Sequence, residues 1–92
     1  MQKKIALVTG GNRGIGFEVV KSLLNQKDII VWLGSRDLAL GQVVAEQLVS
    51  SDLKVVQLDV NNSNDIQLAY DTIIKTEGRG IDILINNAGV LF

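Results

Sequence analysis

An α/β fold built on a doubly wound parallel sheet is predicted by three features of the sequence. Four short apolar runs rich in β-branched residues recur, at 5–8, 29–33, 55–58 and 81–85. They are nearly continuous rather than alternating, which is how strands covered on both faces read. Stretches with helical spacing separate them, and the first run feeds a glycine-rich turn, Thr9-Gly10-Gly11-Asn12-Arg13-Gly14-Ile15-Gly16.

The elements follow in order. The first strand is Ile5-Ala6-Leu7-Val8. A helix after the glycine turn carries an apolar stripe of Ile15, Val19, Leu23 and Leu24. The second strand runs from Ile29 to Leu33, and Asp37 is placed to cap a second helix with the stripe Leu40, Val43, Val44 and Leu48. The third strand is Val55 to Leu58. Asn62, Ser63 or Asn64 can cap a third helix, whose stripe is Ile66, Tyr70, Ile73 and Ile74. Gly78-Arg79-Gly80 ends that helix and turns the chain into the fourth strand, Ile81 to Ile85. Right-handed crossovers in this β-α-β-α-β-α-β order give a sheet ordered 3-2-1-4. The order reverses between the first and fourth strands, so a ligand crevice belongs at their carboxyl ends. Residues 1–92 form one domain, truncated after strand 4. The bare fourth strand and a face covered by one helix lead to the expectation of a piece of a larger domain.

Composition narrows the chemistry. The 92 residues are 47% hydrophobic and 21% charged, as in folded globular proteins. A net charge of −1 points to no nucleic-acid or membrane partner. The sequence has no cysteine and no histidine, which removes disulfides, thiolate or imidazole metal sites and any Ser-His-Asp relay. The apolar run behind Lys3 and Lys4 stops after four residues, too short for a secretory leader, and no segment approaches a membrane span. A cytoplasmic protein with no metal is expected.

The glycine turn carries the functional signal. Gly10-x-x-x-Gly14-x-Gly16 lies between a strand and a helix, where bare backbone lets a pyrophosphate approach closely. The helix adds free N–H groups and the positive end of its dipole. Thr9 can tie the strand end to a neighbouring loop. The second strand ends Leu33-Gly34-Ser35-Arg36. An NAD site would carry an acidic residue there to bind the ribose hydroxyl. Ser35 can instead donate to a 2′-phosphate, Arg36 can grip it with two parallel bonds, and Arg13 can reach it from the turn. These residues favour NADP(H).

With these motifs in place the chain resembles the short-chain dehydrogenases/reductases over its whole length. The matching pieces are Thr9-Gly10-x-x-x-Gly14-Ile15-Gly16, Asp59-Val60 after the third strand, and Asn86-Asn87-Ala88-Gly89 after the fourth. Gly11 to Gly16 with Ser35-Arg36-Asp37 look most like the NADPH-dependent carbonyl reductase branch. The resemblance implies a Rossmann-type domain that transfers hydride between a nicotinamide and a small carbonyl or alcohol substrate. It implies that Gly10, Gly14 and Gly16 hold the pyrophosphate, with Thr9, Asn12, Arg13 and Ile15 of the same turn also among the cofactor-binding residues. Asp59 would accept from the adenine amino group, and the Val60 N–H would meet the ring edge. Asn87 would brace the sheet, and the Ala88-Gly89 backbone would pass near the ribose.

The family's catalytic Ser and Tyr-x-x-x-Lys are absent. The only tyrosine, Tyr70, is followed four residues on by Ile74, and its place on the third stripe predicts a core residue. The chain is thus expected to be a cofactor-binding half without catalytic residues. A non-catalytic NADP(H)-binding module or vestigial fragment is the alternative, and a homo-oligomer paired through the bare fourth strand is a third reading.

Overall fold

A computed structural model describes residues 2–87. It contains β1 (Lys4–Thr9), α1 (Gly14–Leu24), β2 (Ile29–Ser35), α2 (Leu38–Leu48), β3 (Leu53–Gln57), α3 (Ser63–Glu77) and β4 (Ile83–Asn86). The sheet is parallel throughout, in the order β3-β2-β1-β4. This is the partial Rossmann-type α/β architecture expected from the sequence. The strands are shifted by one or two residues from the apolar runs. β2 continues through Gly34 and Ser35 because both pair with β3, and β4 starts only where Ile83 pairs with Ala6.

Register sets the site. Thr9 lies opposite Gly34 on one side and Asn86 on the other, so three strands end level. At the opposite end, the Asp82 carboxylate accepts the Ile5 N–H at 2.8 Å and Arg79 at 3.0 Å. The Asp82 N–H returns to the Ile5 carbonyl at 2.8 Å. Four pairs alone would hold β4 weakly; this double bond anchors its entry.

Two apolar layers flank the sheet. Ala6, Val8, Val31 and Leu33 pack against Val19, Val20, Leu23 and Leu24 of α1 and Val44 and Leu48 of α2. Ile5, Leu7, Trp32 and Val56 pack against Ala69 and Ile73 of α3. Continuous burial holds for β1 and β2, whereas β4 alternates and Leu84 is 61% exposed. Leu84 shares the face of Leu7, its partner, but lies on the strand at the sheet's edge.

The helical stripes need correction. Ile15, Leu40, Val43 and Ile66 face outward, and Tyr70 is 45% exposed rather than a core residue. The buried lines run through Gly16 and Val20 in α1, Gly41 in α2, and Ala69 and Ile73 in α3. Small residues allow each helix to sit close to the sheet, and the larger apolar groups one position away are rotated off the contact. Capping followed expectation. Asp37 accepts the Leu40 N–H at 3.2 Å, Asn62 accepts the Asp65 N–H at 3.1 Å, and Gly78 ends α3 in the left-handed region. A buried cluster adds a clamp on α3. Glu77 accepts from the Trp32 indole at 2.9 Å and from Lys54 at 2.6 Å, with Lys54 above the Trp32 ring.

Candidate functional site

The glycine turn leaves β1 through two bonds to one acceptor. Gly10 and Gly11 N–H both donate to the Gly34 carbonyl, at 2.9 and 3.3 Å. Gly10 and Gly14 have φ near +66° and +61°, backbone that favours glycine. A Cβ on Gly14 would meet nothing within 4 Å, so the turn opens outward there. Gly16 is the opposite case. A Cβ would fall 2.3 Å from the Gly10 carbonyl oxygen and 2.7 Å from Asn87 Nδ2. The first turn of α1 can nest under the loop only because Gly16 has no side chain.

Thr9 and Asn87 lock the loop to β4. The Thr9 hydroxyl donates to Asn86 Oδ1 at 3.3 Å and accepts the Asn87 N–H at 2.9 Å. Asn87 Nδ2 donates to the Gly10 carbonyl at 3.3 Å. The Thr9 tie and the Asn87 brace are both present as expected. Arg13 is the extended residue before α1 and supplies no side-chain cap, whereas Asp37 and Asn62 cap α2 and α3. Among the described residues, no side chain caps the first N–H groups of α1. Asn12 is half-buried; Arg13, Ile15 and Arg36 are exposed.

Ser35 is placed differently from expectation. It is fully buried, and its hydroxyl donates inward to the Asp37 carbonyl at 2.7 Å. It does not present a free donor at the end of β2; Arg36 does. Asp59 Oδ1 accepts the Asn61 N–H at 2.9 Å, closing the turn into α3. Val60 packs against the core layer under α3. Ala88 and Gly89 lie outside the described residues.

Sequence reasoning passed over Gly34 and Gly11. A Cβ on Gly34 would lie 3.1 Å from Leu58, and one on Gly11 would lie 3.1 Å from both Leu33 and Val20. A glycine directly after the second apolar run was the signal for Gly34, which lies inside β2, where a glycine marks close approach.

A parallel sheet with a glycine turn and an uncapped helix at its switch point is the architecture of a dinucleotide-binding domain. The family model described as short chain dehydrogenase matches residues 4–91, and the chain belongs to that family. Carbonyl reductase (NADPH) 1 of Macaca fascicularis is 40% identical over 91 residues, covering 97% of this chain and 32% of the relative. Menthone neomenthol reductase from Mentha piperita superposes with a TM-score of 0.84 at 40% identity, covering 98% of this chain and 33% of that one. The N-domain of a bacterial malonyl-CoA reductase, solved with NADP, gives a TM-score of 0.87 at 30% identity over 97% of this chain and 17% of that one. The chain spans about one third of the length of the curated relatives it matches.

Proposed function

We propose that this chain is the cofactor-binding part of an NADP(H)-dependent oxidoreductase that acts on a small carbonyl or alcohol. The carrying observation is the strand-end constellation. A turn open at Gly14 leads into a helix without a side-chain cap, and Arg36 stands exposed directly after Ser35, the β2 end where an NAD site would carry a carboxylate. The residues fit the cofactor. Gly14 has open space where a Cβ would stand, and the N-terminus of α1, which has no side-chain cap, offers the N–H groups a pyrophosphate needs. The names of the relatives, a carbonyl reductase using NADPH and a domain solved with NADP, support the same reading.

When bound, the nicotinamide supplies or accepts hydride. The residues of this chain bind and orient. Arg36 and Arg13 would hold the 2′-phosphate through charge-assisted bonds. Asp59 would accept from the adenine amino group, its Oδ1 also accepting the Asn61 N–H. Asn87 fixes the Gly10 carbonyl and thereby the shape of the phosphate turn. The sequence holds no Tyr-x-x-x-Lys, so the 92 residues alone are expected to bind cofactor without turnover.

Calorimetry tests the assignment. Arg36→Asp should weaken NADPH binding about ten- to a hundredfold, the worth of a lost charged contact, and leave NADH within a few-fold. NADPH affinity should also fall as salt rises. Equal loss for both cofactors would refute the phosphate clamp.

A further inference from the structure

We propose that Ser35 is a positioning residue for Arg36 and sets cofactor preference without touching the cofactor. This inference rests on the NADP(H) reading above. The Ser35 hydroxyl spans Arg36 and donates to the Asp37 carbonyl at 2.7 Å. That carbonyl also accepts the Gly41 N–H at 3.1 Å, and the Asp37 carboxylate accepts the Leu40 N–H at 3.2 Å. On the strand side, the Ser35 carbonyl accepts the Leu58 N–H at 2.9 Å. Arg36 is thus bracketed by two residues whose backbones are pinned to β3 and to the first turn of α2.

Gly41 makes the clasp possible. A Cβ there would lie 2.9 Å from Ser35 Cβ and 2.9 Å from Val55 Cγ1. The helix end can therefore close on the strand end only with glycine at 41 and a small residue at 35. A serine hydroxyl has one proton, and this one is spent on Asp37. Donation to a phosphate would open the clasp. Holding the Arg36 backbone in place lowers the ordering cost that a long, exposed guanidinium side chain pays on gripping an anion.

The test is titration calorimetry with NADPH and with NADH on the full chain, Ser35→Ala, Arg36→Gln and the double variant. Ser35→Ala should raise the NADPH Kd about three- to tenfold and leave the NADH Kd within about twofold. Adding Ser35→Ala to Arg36→Gln should change nothing further. Proportional weakening of both cofactors would show a merely structural serine and overturn the inference. So would an undiminished effect in the Arg36→Gln background, which marks direct donation to the phosphate. Should Ser35→Ala fail to fold, Ser35→Cys, close in volume and a weak donor, is judged by the same criteria. An unmodified chain that does not prefer NADPH refutes the parent reading. A preference that Ser35→Ala leaves intact refutes only the clasp.

Discussion

Replacing Gly16 with alanine puts a methyl group 2.3 Å from the Gly10 carbonyl oxygen, 3.0 Å from the Gly10 carbonyl carbon and 2.7 Å from Asn87 Nδ2. Moving the oxygen contact from 2.3 to 3.0 Å, the lower limit for real Cβ contacts, requires a shift of about 0.7 Å. The obstacle is backbone, so no side-chain rotation relieves it. Alanine gains about 1 kcal/mol over glycine in a helix. Against that stand about 1–3 kcal/mol of overpacking and about 1 kcal/mol for the Asn87–Gly10 hydrogen bond. The net expectation is a loss of about 1–3 kcal/mol. Because the displaced carbonyl belongs to the phosphate turn, NADPH affinity should fall together with stability. Urea unfolding followed by Trp32 fluorescence measures the first, and calorimetry the second. A variant as stable as its parent with an unchanged Kd would refute the close-packing account.

Three further perturbations test the rest of the fold. Val49, the residue after α2, is 86% exposed with φ 44°. Val49→Gly should add about 0.5–1 kcal/mol of stability, read as a higher urea midpoint at unchanged m-value, since relief of the left-handed conformation exceeds the added chain entropy. Glu77→Ala strips the acceptor from Trp32 and the partner from Lys54, and should cost about 1–3 kcal/mol with a shift in Trp32 emission. Glu77→Gln, which keeps an acceptor for the indole, should cost less. The Asp82 carboxyl is held below its ordinary value of 3.8, first by the Ile5 N–H and then by Arg79. A lowered folded-state pKa means that stability is fully present above about pH 4 and is lost as pH falls through that lowered value. Asp82→Asn should flatten the acid limb of a stability–pH profile, and an unaltered limb would remove Asp82 from the account.

Much of the candidate site was legible because its signals are local. Asp37 and Asn62 cap through N–H groups three residues on, and Gly78 ends α3 in its own backbone conformation. The glycine turn announces itself by spacing. Ser35 and Asp59 carry polar groups that suit a ligand or a local backbone partner equally, and the sequence does not separate the two uses. One donates to the Asp37 carbonyl and the other accepts the Asn61 N–H, both two residues away.

The sequence by itself determined the order of strands and helices, the parallel sheet and the turn at its switch point. Chain-order periodicity and short-range hydrogen bonds suffice for those. Packing settled which residues of each apolar stripe lie inside: Val19, Leu23, Leu24, Val44, Leu48 and Ile73 do, and Ile15, Leu40, Val43, Ile66 and Tyr70 do not. Apolar periodicity ranks side chains by hydrophobicity, whereas helix-to-sheet contact is governed by how closely backbones approach. Gly16, Gly41 and Ala69 therefore took the inner positions, and Ile15, Leu40 and Tyr70 were turned outward. The bonds from Asn87 to the Gly10 carbonyl and the Thr9 hydroxyl join residues 77 and 78 apart in sequence, and strand register alone brings them together.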